Sequence, residues 1–323
     1  MTLLELLRLS SRTFALGIEQ LPRALRGPVM VAYLLLRVSD YLEDNEEMPA
    51  EQKVPLLQMW DEVLAGRAGA QALVSQLPGT TQGSGNPDAQ VMLHTVQVVE
   101  ALQALPPPAR EAVTRHVRDS TQGMARWVER GPRVPEETDL DDYMHEVAGR
   151  VGYLLTDLFA WHSGTIRRRK DFLMPLAREF GLALQTVNII RGMRQDRLRG
   201  WIFIPETFCQ QVGVTREQLF QPEYRPQALQ VLDMLAEKAQ RHLEAAKRYI
   251  WALPAWQYRV RLFCLFPLMF AERTLALSRR NHQVFDNEAK ISRDEVRRII
   301  RDTTLWGWRN GWIQRYAQRL ART

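Results

Sequence analysis

The sequence predicts an all-α, single-domain helical bundle, on three observations. Nearly every segment between breakers repeats its apolar residues at helical spacing, and few segments alternate as strands do. Hydrophobic residues make up 46% of the 323 positions, enough to bury a large core. Helix breakers punctuate the periodic segments: Pro28 lies near a helix start, "PPP" at 106–108 parts two helices, and "GPRVPEE" at 131–137 reads as a loop.

Taken in order, helices are expected over 2–18 and 23–44, the second holding the apolar run "VMVAYLLL" (29–36), and then over 51–65. The stretch "LPGTTQGSGNPDA" (77–89) is rich in glycine and serine. Periodic helix continues on both sides of it, which favours a surface loop over a domain linker. Helices follow over 89–104, 108–130 and 138–163. "RRRK" (167–170) reads as the solvated start of the next helix, 170–198, or as a loop before it. Short helices at 206–211 and 215–219 precede two long ones, 226–252 and 255–281. The last helix, 292–320, makes the C-terminal region 294–323 basic and aromatic. Leu305, Trp308, Trp312, Tyr316 and Leu320 would share one face of it, ringed by Arg309, Arg315 and Arg319. That face either packs on the core or docks the protein peripherally on a membrane.

Composition narrows the function classes. Charged residues at 25% and aromatics at 9% argue against disorder. A net charge of +6 makes an anionic partner plausible: nucleic acid, lipid or a diphosphate. No nucleic-acid partner is expected, because zinc-finger, RRM and basic-zipper signatures are missing. Cys209 and Cys264 lack CxxC spacing, so no disulfides are expected and a reducing cytoplasm is. The start "MTLLELLRLSSRTF" does not read as a signal peptide, and "VMVAYLLL" is far short of the roughly 18 residues that span a bilayer. A cytoplasmic protein, at most peripheral on the inner membrane face, is the expectation. There is no G-x-G-x-x-G, no P-loop and no H-E-x-x-H, which disfavours a Rossmann-type nicotinamide enzyme.

The strongest chemical signal is "LLLRVSDYLEDNEE" (34–47). Asp40 and Asp44 stand four apart and share a helix face, with Glu43 beside them. Like charges at that spacing repel, and they follow an apolar run where a bare carboxylate is costly to bury. A divalent cation relieves both costs, and Mg²⁺ commonly joins one or two carboxylates to substrate phosphates. A solvated acidic helix end is the alternative. In "NIIRGMRQD" (188–196), Asn188 and Asp196 supply oxygen ligands, with Arg191 and Arg194 placed for phosphate oxygens. A satisfied core amide is the alternative for Asn188. Together the two faces point to Mg²⁺-dependent ionisation of an allylic diphosphate.

"SSRTFALGIEQLP" (10–22), "YLLLRVSDYLED" (33–44), "YMHEVAGRVGYLLTDLF" (143–159), "LQTVNIIRGMRQDRLRGWIFIPE" (184–206) and "FCLFPLMFAERTLAL" (263–277) together resemble the squalene/phytoene synthase family, in the family's order. Within it, "FPLMFAERTLALSRRNHQVFDNEAKISR" (266–293) looks most like the squalene synthases. The resemblance implies a helical bundle of the class I isoprenoid synthase type with a central cavity, acting on prenyl diphosphates. By the same resemblance, Asp40, Asp44 and Glu43 are expected at Mg²⁺, joined by Asn188 and Asp196 from the second motif. Ser11, Arg12, Phe14, Arg37, Gln185 and Arg191 match substrate-binding positions. Tyr143 matches the tyrosine of the first half-reaction, and Phe263 an aromatic of the second. Asn188 and Lys290 match positions of metal and NADPH phosphate contacts, and Arg293, one residue beyond the expected basic position, is the candidate to join them.

The implied reaction joins two farnesyl diphosphates into presqualene diphosphate, which NADPH reduces to squalene. The departures are Gly192 and Gln195 in place of second-motif carboxylates, Ser292 in place of a basic residue, and Glu146 in place of an aromatic. They keep other outcomes open: phytoene or dehydrosqualene without NADPH, transfer to a non-prenyl acceptor, or a non-catalytic helical homologue.

Overall fold

A computed structural model describes residues 1–79, 81 and 86–322, without the side chain of Arg12. Among the described residues there is helix and no strand. The chain divides into two compact units, Met1–Gly131 with Tyr153–Lys170, and Pro132–Gly152 with Asp171–Thr323.

In the first unit the long helix Arg23–Asp44 and the helix Ala50–Leu64 both pack on the helix Pro107–Arg130. Leu34, Leu35, Val38 and Leu42 recur at helical spacing and are fully buried. Several polar groups inside are paired, as burial favours. Trp60 donates its indole N–H to Ser39 at 3.0 Å, and the Ser39 and Thr121 hydroxyls lie 2.8 Å apart. Asp157, on the helix Arg150–His162, receives His116 at 2.8 Å, Arg115 at 2.6 Å and Lys170 at 2.5 Å. Burial alone would raise its pKa, but the bonds from His116 and Lys170 outweigh this and hold it at about 2.

In the second unit the helix Tyr258–Ser278 packs against Arg225–Ala252, Arg293–Trp306 and Asn310–Leu320. The helix Glu137–Met144 runs into a π-helical turn, His145–Gly149, and this turn packs backbone to backbone on the helix Lys170–Leu198. A Cβ on Gly181 would lie 2.3 Å from the Ala148 carbonyl oxygen, so only glycine permits the approach. Lys238, almost wholly buried, ties the Glu137–Met144 helix to Arg225–Ala252 through Glu137 at 2.9 Å and Asp141 at 2.6 Å.

Several expected helices are interrupted. The helix expected over 2–18 breaks at Ser11, which is extended and caps Arg12–Gln20 by accepting from the Phe14 N–H. The one expected over 89–104 begins earlier, at Pro87, and breaks at His94, whose ring nitrogen lies 2.8 Å from the Gln90 carbonyl oxygen. The expected 77–89 loop is therefore shorter, with Asn86 as the helix cap; its residues 80 and 82–85 lie outside the described ones. Residues 215–219 give only the 3₁₀ turn Gln218–Phe220.

The expected 292–320 helix is two, Arg293–Trp306 and Asn310–Leu320. A Cβ on Gly307 would meet the Thr303 carbonyl oxygen at 2.6 Å and Leu265 at 2.8 Å, so the turn closes tightly on glycine. The expected apolar face is split as a result. Tyr316 is buried with Trp312 stacked on it at 4.4 Å, while Leu305 and Trp308 are exposed and joined by Trp306. No described helix is long and apolar enough to cross a membrane, and both cysteines are buried free thiols.

Candidate active site

The first unit places Tyr33, Arg37, Asp40 and Asp44 along one stripe of the Arg23–Asp44 helix. Arg37 donates to Asp40 at 2.8 Å and grips Asp88 with two nitrogens, one of them at 2.9 Å. Asp88 stands in the first turn of the helix Pro87–Leu93, where a carboxylate suits the helix N-terminus. Burial pushes the Asp40 carboxyl up to about 6; Arg37 pulls against this, and the charges of Asp44 and Asp88 add to it. Asp44 is exposed at the helix end, and Glu43 is buried, its backbone carbonyl accepting from Lys53 at 2.7 Å.

Ser11 uses its hydroxyl to cap the helix by accepting from the Phe14 N–H. Phe14 sets its ring 5.5 Å from that of Tyr33. The structure thus gathers Ser11, Phe14, Arg37 and Asp40, and adds Tyr33 and Asp88. The side chain of Arg12 lies outside what is described. Tyr33 was findable four residues before Arg37. Asp88 was signalled only as part of a helix-capping Asn-Pro-Asp.

An open cleft of about 570 Å³ also lies in this unit, lined by Arg110, Arg115, Arg118, Glu111 and Asp119 among others. None of the sequence-predicted site residues lines it. Asp157 holds Arg115 and Asp61 holds Arg118, so its charges are largely spent.

In the second unit the Lys170–Leu198 helix carries Gln185, Asn188, Arg191, Gly192 and Asp196. Asn188 and Arg191 are exposed, Gln185 is half-buried, and Asp196 is buried with its carboxylate held by Arg199. A Cβ on Gly192 would meet only the Asp196 Oδ2, at 3.7 Å, so the space above it is open. The helix ends in a Schellman turn: Trp201 N–H bonds the Asp196 carbonyl and Gly200 N–H bonds that of Arg197, both at 2.9 Å. Gly200 takes the required left-handed conformation, with φ of 82°. This turn brings Phe203 against Tyr143, their rings stacked at 4.3 Å, with Trp201 5.2 Å beyond. Tyr143 and Phe263 are both buried.

Arg191 and Lys290 are brought together by a residue the sequence reading missed. Glu288 receives Arg191 Nε at 3.2 Å on one carboxylate oxygen and Lys290 Nζ at 2.8 Å on the other. Arg293 is exposed in the first turn of its helix, next to Asp294 and Glu295. Glu146 is buried and paired with Arg150 at 2.5 Å, which accounts for a carboxylate at that position.

A sequence model of the family described as squalene/phytoene synthase matches residues 7–295. The chain is 31% identical over 297 residues to a squalene synthase of Botryococcus braunii, covering 90% of this chain. It is 29% identical over 304 residues to the squalene synthase of Schizosaccharomyces pombe, covering 92%. It spans 60% of the length of the first relative and 63% of the second. A solved structure of TcSQS with the ligand BPH1237 superposes with a TM-score of 0.84 at 26% identity, covering 98% of this chain and 90% of that one. With nearly its whole length matched and its all-α fold shared, the chain belongs to the squalene/phytoene synthase family.

Proposed function

We propose that this protein catalyses the Mg²⁺-dependent head-to-head condensation of two prenyl diphosphates, most simply two farnesyl diphosphates to presqualene diphosphate and on towards squalene. The observation that carries this reading is the Asp40 site. A partly buried carboxylate shares a helix face with Asp44 and an arginine with Asp88, and its pKa is pushed up to about 6. Such a surplus of negative charge is what a divalent cation neutralises. Among the described residues no cluster of three or more His, Cys, Asp or Glu could hold a metal unaided. An ion at Asp40 would therefore complete its shell with water and substrate phosphate oxygens, as Mg²⁺ commonly does.

Asp40 and Asp44 would hold the ion, which supplies electrophilic stabilisation of the departing diphosphate. Arg37 orients Asp40. Arg191, exposed and paired with Glu288, would turn to phosphate oxygens once that carboxylate gives way, and Tyr143 is held in its aromatic stack as the candidate for the first half-reaction. Phe263 offers a ring face to cationic carbon in the second. Incubation with farnesyl diphosphate should release pyrophosphate only with Mg²⁺, and release that survives chelation of divalent ions would count against the proposal.

The NADPH half is less well provided for. Glu288 engages Lys290, and Arg293 is exposed beside Asp294 and Glu295, which pair with Arg297 and Arg273, so a dinucleotide phosphate would have to compete with Glu288 for Lys290. This observation favours a second reading, in which condensation yields a non-reduced product of the phytoene or dehydrosqualene kind. Peripheral membrane contact is proposed through the turn at Leu305, Trp306 and Trp308, which are 57%, 45% and 47% exposed. Arg309 lies over both tryptophan rings, pairing apolar surface with positive charge as an anionic interface requires.

A further inference from the structure

We propose that Glu288 is an internal counter-ion that occupies the Arg191 and Lys290 cations until a phosphate-bearing ligand displaces it, and so sets the affinity of this face for anions. The inference rests on the reading of Arg191 as a diphosphate-binding residue. Each carboxylate oxygen of Glu288 serves a different cation, one from the Lys170–Leu198 helix and one from its own segment. A phosphate group offers the same spread of acceptor oxygens with more charge, so the two compete for one pair of donors. All three side chains are substantially open to solvent, at 44%, 38% and 73% for Arg191, Glu288 and Lys290. Exposed pairs of this kind are weak and readily exchanged.

Glu288 lies on a short strap fixed at both ends. On one side Phe285 is buried against Phe220 at 5.9 Å, and Asp286 binds Arg225 at 2.7 Å. On the other, Ser292 and Glu295 form a capping box that starts the next helix. Between these anchors, Glu288 is the side chain that joins the strap to Arg191. A ligand taking both cations must expel that carboxylate, because leaving it beside a diphosphate sets like charges together.

Calorimetric titration of the full-length protein tests this with two probes, inorganic pyrophosphate with Mg²⁺, and NADPH. Glu288→Gln should tighten pyrophosphate binding by roughly three- to tenfold, the scale of two exposed ion pairs. The gain should shrink at high salt and disappear when Arg191→Gln and Lys290→Gln are added. Glu288→Asp, too short to reach both cations, should fall between wild type and Glu288→Gln, and it serves if the glutamine variant fails to fold. A gain for NADPH alone would assign the displaced contact to a dinucleotide phosphate instead of a diphosphate substrate. Unchanged or weakened binding of both probes in a variant that melts normally overturns the proposal and leaves the functional reading standing. If neither wild type nor variant binds pyrophosphate, the reading of Arg191 fails and the proposal fails with it.

Discussion

Replacing Asp40 with asparagine should make the metal-free protein more stable while removing its response to Mg²⁺. Burial, opposed by Arg37 and reinforced by Asp44 and Asp88, lifts this carboxyl from 3.8 to about 6 in the fold. A folded-state pKa above the unfolded one means that the native state binds the proton more tightly. The group's contribution to stability is therefore fully present below about pH 4 and is lost as pH rises towards 6 and beyond. A shift of about 2 units corresponds to about 3 kcal/mol at pH 7. Asparagine is close in shape, cannot ionise, and keeps an oxygen for the Arg37 donor. Without metal at pH 7, Asp40→Asn should thus gain up to about 3 kcal/mol in urea unfolding, and the gain should narrow towards zero near pH 4. Adding Mg²⁺ with pyrophosphate should raise the melting temperature of wild type and leave the variant unmoved. Turnover should fall by a few orders of magnitude. A variant less stable than wild type at pH 7 without metal, or one with near-normal turnover, would refute the reasoning.

Asp157 should show the opposite sign: its pKa is depressed to about 2, so its contribution is present above pH 4 and lost as pH falls towards 2. Asp157→Asn should cost about 2 kcal/mol at pH 7 and nothing near pH 2, read from urea unfolding at each pH. Gly192→Asp should be accommodated, because the new Cβ meets only a carboxylate oxygen at 3.7 Å. Its stability should stay within about 1 kcal/mol of wild type, since helix propensity and repulsion from Asp196 oppose each other. Its Mg²⁺ affinity with pyrophosphate, measured by titration, should equal or exceed that of wild type. Trp306→Ser with Trp308→Ser should abolish flotation on anionic liposomes at unchanged melting temperature; retained flotation would place any membrane contact elsewhere.

What the sequence made legible follows from how far each signal reaches along the chain. The helices Arg23–Asp44, Lys170–Leu198 and Arg225–Ala252 were readable almost to the residue, because their periodicity runs for many turns. The breaks at Ser11, His94 and Gly307 were not, because one or two non-helical residues barely disturb the apolar pattern around them. Gly307 in particular is held by its close approach to the Thr303 carbonyl oxygen, which arises only once the chain leaves the helix. The Asp40–Asp44 face was visible as local spacing. Its grip through Arg37 on Asp88 was not, because those two residues are 51 positions apart. Glu288 read as one acid among several in a polar stretch, and only folding sets it between Arg191 and Lys290. Asp196 stood out as a ligand candidate, whereas its partner Arg199 became evident only with the turn that ends the helix.

The most direct test of the central claim is mass analysis of everything formed when the purified protein is given farnesyl diphosphate and Mg²⁺, with and without NADPH. The account predicts a Mg²⁺-dependent product carrying two farnesyl chains, formed without NADPH as a diphosphate or an unreduced hydrocarbon. Squalene should appear only where NADPH reaches the Lys290 face. Recovery of unchanged farnesyl diphosphate, or of farnesol as the sole product under every condition, would contradict it.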